Sequence, residues 1–146
     1  ESTPPSSSEP ETEEKVLTFA IGAETTTLST LYMNNSLCCT SMLVYENLVD
    51  FDNGEIVPGL AESWEYNDDQ TELTFHLRQG VTFHNGEPFN AEAVKTNLEH
   101  KQSNPSFYTL KGITDITEME IVDDYTITLH YDHPSMPICK TSAGRM

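Results

Sequence analysis

The chain divides by its hydrophobic pattern before any other property is considered. From Glu1 to Glu14 no hydrophobic residue occurs, and the stretch uses only Ser, Pro, Thr and Glu. Such a segment buries too little apolar surface to offset its ordering entropy, so residues 1–15 are expected to be a disordered tether ahead of one folded body, residues 16–146. Val16-Leu-Thr-Phe-Ala-Ile21 then alternates and predicts a strand. Leu37, Met42, Leu43, Tyr45, Leu48 and Val49 recur at helical spacing, which predicts an amphipathic helix over 36–48. Asp52-Asn-Gly54 reads as a turn, residues 55–57 as a short extended piece, and Pro58-Gly59 as a break.

The pattern is clearest further on. Residues 60–66 predict a strand and Asn67-Asp-Asp-Gln70 a turn; residues 72–78 predict a second strand. There Leu73, Phe75 and Leu77 face one way, and Thr74, His76 and Arg78 the other. Val81 and Phe83 extend that alternation. Asn90 is placed to cap a helix over 91–101, with Val94 and Leu98 as its buried stripe and Ser103-Asn-Pro105 as its stop. Residues 118–131 predict two strands around Asp123-Asp124, with Met119 and Ile121 inward in the first and Tyr125, Ile127 and Leu129 in the second. Strands and helices mix without a βαβ repeat. The expected fold class is therefore α+β, a mixed or antiparallel sheet with two main helices.

Composition narrows the function. Hydrophobic residues are 36% of the 146, roughly 40% once the polar leader is set aside, which suffices for a core. No run approaches the ~18 apolar residues of a membrane span. Asp and Glu number 24 against 7 Lys and Arg, a net charge of −17. A chain so acidic repels phosphate backbones, and no nucleic-acid partner is expected. Cys38 and Cys39 are neighbours and Cys139 is distant, a pattern of neither a disulfide-dense scaffold nor a zinc site. Buried free thiols are the favoured expectation, with a bridge from Cys38 or Cys39 to Cys139 as the alternative.

Candidate chemistry is sparse. His76 and His84 fall on neighbouring predicted strands, and His130 and His133 flank Tyr131-Asp132, but no HExxH or clustered ligand spacing exists. No metal, cofactor or catalytic residue is expected. The chain has no GxSxG or SxxK, and its glycines never cluster into a phosphate loop. Asp50-Phe-Asp-Asn-Gly54 starts like a calcium loop but has Ala61 at the twelfth position. Tyr32 and the pair Phe107-Tyr108 are aromatics on polar loops, positions that either line a cleft or cover the edge of a core.

Four consecutive motifs carry a family resemblance: Leu43-Val-Tyr-Glu-Asn-Leu-Val49, Gly54-Glu-Ile-Val-Pro-Gly-Leu-Ala-Glu-Ser-Trp64, Leu73-Thr-Phe-His-Leu-Arg78, and Gly80-Val-Thr-Phe-His-Asn-Gly-Glu-Pro-Phe-Asn-Ala-Glu-Ala-Val94. In order and spacing, from about Leu17 to Leu129, they resemble the peptide/nickel-type extracytoplasmic solute-binding proteins of ABC importers. The resemblance implies an N-terminal part of the first lobe of a periplasmic-binding-protein-like fold. It implies a receptor that traps a peptide or a nickel complex between two lobes and passes it to ABC permease subunits. It further implies an extracytoplasmic, cell-surface location on a lipid anchor in a Gram-positive bacterium, with residues 1–15 as tether. The family's cleft aromatics and methionine map to Tyr32, Met33 and Tyr108.

Three departures accompany the resemblance. Gln70 stands where the family usually has Gly, residues 133–146 fit poorly, and the family's members are several times longer. A portion of one lobe is expected to bind solute weakly by itself and to leave surfaces prone to self-association. Two other readings compete: a self-associating or partner-binding secreted domain without a solute, and a metal-dependent enzyme using His76, His84 and the acids.

Overall fold

The structure is a computed structural model that describes residues 43–103 and 111–134, together with Val16, Thr18 and Ala20. The expected tether, Tyr32, Met33, Tyr108, all three cysteines and most of the helix expected over 36–48 lie outside the described residues. Val16, Thr18 and Ala20 are exposed and lie in no strand, unlike the strand expected over 16–21.

Leu43 and Val44 are helical, but Tyr45 to Asn47 are not, so the helix expected to reach Leu48 ends early. From Tyr45 the chain is instead held against the segment that follows the next hairpin. The carbonyls of Asn47 and Leu48 accept hydrogen bonds from the amides of Leu60 and Ala61, each 2.8 Å, which directs the chain into a hairpin. That hairpin pairs β1 (Val49–Asp52) with β2 (Glu55–Pro58). Its two-residue turn has φ of 50° at Asn53 and 89° at Gly54, the left-handed pair that matches the twist of the flanking strands and that Asn-Gly adopts at least cost.

The main sheet is antiparallel throughout, in the order β3-β4-β6-β5. Its strands are β3 (Ala61–Tyr66), β4 (Glu72–Leu77), β5 (Ile116–Asp123) and β6 (Thr126–Tyr131). The expected parity of β4 holds: Leu73, Phe75 and Leu77 are buried. Among the described residues the largest fully buried side chains are Leu73, Phe75, Ile127 and Leu129, all on the two central strands. The last turn falls at Asp124 and Tyr125 rather than at Asp123-Asp124. Tyr125 therefore sits in the turn, and its carbonyl accepts from the amide of Leu77 at 2.8 Å.

Helix α1 (Ala91–Gln102) covers the apolar face with Ala91, Val94 and Leu98. Asn90 caps it as expected, its Oδ1 accepting from the amide of Ala93 at 3.0 Å. The amide of Ala91 reaches the carbonyl of Asp124 at 2.8 Å, which docks the helix start onto the β5–β6 turn. A one-turn helix, α2 (Lys111–Thr114), leads into β5 and had no counterpart in the hydrophobic pattern. Val81 and Phe83 do not continue β4. The chain folds into a compact loop held by a single bridge between Thr82 and Pro88, with the turn Asn85-Gly86 at its tip. The described elements form an α+β assembly with antiparallel sheets, as expected.

Candidate functional site

Strand alternation sends Glu65, Glu72, Thr74, His76, Thr128, His130 and Glu120 to the sheet face opposite α1. The threonines meet in the middle, Thr74 Oγ1 lying 2.9 Å from Thr128 Oγ1. Among the described residues Thr128 is the buried polar one, and the shared hydroxyl contact satisfies it.

The histidines on this face sit against carboxylates of adjacent strands. His76 Nε2 lies 3.7 Å from Glu65 Oε1 across β4 and β3. His130, on β6, has Nδ1 3.5 Å from Glu72 Oε1 on β4 and Nε2 3.3 Å from Glu120 Oε2 on β5. These contacts link three strands, while exposure keeps each such pair worth about 0–1 kcal/mol. Past the end of β6, His133 contacts Asp132 and lies 3.9 Å from Asp115.

These contacts are binary or strand-spanning rather than convergent. Among the described residues no group of three or more His, Cys, Asp or Glu side chains could hold a metal ion. His84 stands exposed on the 81–89 loop, not on a strand neighbouring that of His76 as expected. The separation follows from the turn at Gln79-Gly80, which takes the chain out of the sheet.

Among the described residues, grooves border α1 on two flanks. One, about 230 Å³, lies between α1 and β5 and is lined by Lys95, Glu99, Ile116 and Met119 among others. Gln102 closes its end, with Nε2 donating to the carbonyls of Ile113 and Ile116 at 2.9 Å each. The second, about 630 Å³, lies on the opposite flank beside the 81–89 loop. Phe83 borders it and is exposed, although parity had placed it with the core. Asn85-Gly86, which ends the strand pattern there, was the sequence signal. Burial lowers the pKa of Lys101, near the end of α1, below its ordinary value. Tyr32, Met33 and Tyr108, the residues mapped to the cleft, lie outside the described residues. No helix among the described residues is long and apolar enough to cross a membrane.

Comparison with known proteins identifies what this arrangement is similar to. The profile of the bacterial extracellular solute-binding proteins, family 5 Middle, matches residues 55–144. The nickel-binding periplasmic protein of Escherichia coli K12 is 39% identical over 101 residues, covering 62% of this chain and 19% of its own length. The dipeptide-binding protein of the same organism is 34% identical over 118 residues, covering 67% and 22%. Among solved structures, the PBP AgaA of A. tumefaciens R10 in complex with agropinic acid superposes with a TM-score of 0.71 at 32% identity, over 80% of this chain and 24% of that one. The chain thus spans about a fifth of the length of the curated relatives it matches.

Proposed function

The chain belongs to the bacterial extracellular solute-binding proteins of family 5, and from that premise we propose that it contributes part of one lobe to a receptor serving an ABC importer. The solute is a peptide or a nickel complex, a reading supported by two similar relatives in Escherichia coli, one named for binding nickel and the other for binding a dipeptide. The receptor works outside the cytoplasm, held at the cell surface by a lipid anchor on the tether of residues 1–15, and delivers its solute to the permease subunits. Residues 16–146 form the lobe portion, with Tyr32, Met33 and Tyr108 facing the cleft. Nothing in this role calls for a catalytic centre, and the function is capture and release.

The observation that carries this reading is the match of residues 55–144 to the family profile. It spans both the β2–β3 connection that Gly59 makes possible and the whole four-stranded sheet with its covering helix. A trapped solute draws its affinity from enclosure on most sides. A stretch equal to about a fifth of the relatives' length offers at most part of one wall, so the 146-residue chain alone should bind weakly.

Calorimetric titration of the chain with nickel, nickel–histidine and short peptides tests that expectation. Dissociation constants above about 100 µM, or no heat, are expected; sub-micromolar binding would overturn the one-wall reading. A chimera tests the role itself. Residues 49–131 exchanged into the dipeptide-binding relative should leave a folded receptor that still responds to dipeptide. A folded chimera that no longer does so would count against the proposal.

A further inference from the structure

The loop joining β4 to α1 holds one aromatic ring out toward solvent. Phe83 is 45% exposed although its ring meets that of Phe89 edge-on, centroids 6.0 Å apart at 71°. Phe89 is the inner member of the pair, 5% exposed and part of the core. The backbone around Phe83 is well tied. Its amide donates to the carbonyl of Glu87 at 2.8 Å, its carbonyl accepts from Gly86 at 2.9 Å, and Asn85 Oδ1 accepts from the amide of Glu87 at 3.1 Å. Phe83 and Glu87 are therefore presented on a pre-ordered loop, and a partner that engages them has little further ordering entropy to overcome.

Beside this loop the 630 Å³ groove runs from Phe83 and Pro88 across Ala93 to His100. Among the described residues its formally charged lining is Glu87 and Glu92, with no Lys or Arg. Glu92 occupies the first turn of α1, where it offsets the positive end of the helix and makes the groove a poor seat for an anion. An apolar floor between two carboxylates is complementary to an apolar side chain flanked by cations. A second copy of this chain, at a net charge of −17, brings mainly the wrong sign.

We infer that this groove docks a basic segment of a partner protein, which sets one apolar side chain against Phe83 and its lysines or arginines against Glu87 and Glu92. The segment and the groove are matched in charge, and the exposed ring supplies the apolar contact that charge alone lacks.

Fluorescence anisotropy with a labelled peptide of lysine and alanine carrying one central leucine tests the inference on the full chain. Saturable binding is expected, weakened about tenfold by Phe83→Ser and by the pair Glu87→Gln with Glu92→Gln. Thr96→Arg, an exposed helix position lining the groove, should weaken it similarly by placing a cation in the path while leaving thermal unfolding unchanged. This variant keeps the test decisive should Phe83→Ser loosen Phe89. The pair Glu65→Gln with Glu118→Gln, distant on β3 and β5, should change binding by less than about twofold. Equal weakening by that distant pair would mean attraction to overall charge and would overturn the proposal. So would equal binding of the peptide with leucine replaced by alanine, or absence of saturable binding. A dimer in sedimentation that Phe83→Ser dissolves would assign the groove to a second copy and overturn it too.

Discussion

Replacing Gly59 by alanine probes the junction on which the fold turns. Gly59 links β2 to β3, is buried, and has no left-handed backbone that would by itself demand glycine. Its requirement is space. A Cβ at this position would lie 2.4 Å from the carbonyl oxygen of Asn47 and 3.0 Å from that of Leu48. Ordinary contact needs about 3.5 Å, so the two backbones must part by ~1 Å. The same carbonyls accept the 2.8 Å hydrogen bonds from Leu60 and Ala61 that hold β3 to the residues before β1. Bonds of that length do not survive such a displacement, and each contributes about 1 kcal/mol net, more where a buried partner is left unmade. After the alanine's gain through the unfolded state, about 0.4–1 kcal/mol, a destabilisation of about 1–2 kcal/mol remains, toward the upper end where a buried group is left unpaired.

Gly80 provides the comparison. Its φ is +73° and nothing lies within 4 Å of a built Cβ. Gly80→Ala should therefore cost only the left-handed backbone term less the same gain, about 0.5–1 kcal/mol. Urea unfolding followed by fluorescence of the single tryptophan, Trp64 on β3, measures both variants. Gly59→Ala should also remove hydrogen-exchange protection from the amides of Leu60 and Ala61. If Gly59→Ala proves no worse than Gly80→Ala, or those amides stay protected, the close-approach reasoning is wrong.

Other substitutions isolate single contacts. Asn90→Ala removes the cap on the Ala93 amide and should cost about 1 kcal/mol by thermal melting. Gln70 holds a φ of 57°, so Gln70→Gly should stabilise the β3–β4 turn by about 0.5–1 kcal/mol in the same assay. Thr128→Val leaves the Thr74 hydroxyl without its partner and should cost about 1 kcal/mol, whereas the double Thr74→Val, Thr128→Val should be close to neutral; additive losses would refute the pairing. Because burial lowers the pKa of Lys101, the folded chain binds fewer protons than the unfolded one between its folded value and 10.5, so stability rises with pH across that window. Lys101→Met should accordingly stabilise the chain at pH 7, and the advantage should shrink as pH approaches 10.5.

Local rules carried a good part of the architecture. The alternation of β4, the Asn90 cap, the Asn53-Gly54 turn and the Val94–Leu98 stripe each rest on interactions between near neighbours in sequence, and each appears where its pattern placed it. The family, too, was legible in four adjacent motifs, because turn glycines, strand parity and helix caps leave recurring residues at set distances. What local rules missed were the places where distant backbone competes. The helix expected to reach Leu48 ends at Val44, and the residues after it are held to Leu60 and Ala61, beyond the hairpin. His84 left the sheet, and Phe83 left the core, because the loop after Gly80 bonds to itself rather than to β4.

The pairing of His130 with Glu72 and Glu120 likewise depends on β6 lying between β4 and β5, an order no spacing within the chain announces. The amino-acid sequence alone determined strand parity, turn chemistry, helix capping and kinship, since each is settled within a few residues or by recurrence of whole motifs. Strand order, the surfaces that face one another and the ring left beside an acidic groove were decided only by tertiary structure, because they depend on which distant backbone groups claim each donor and acceptor.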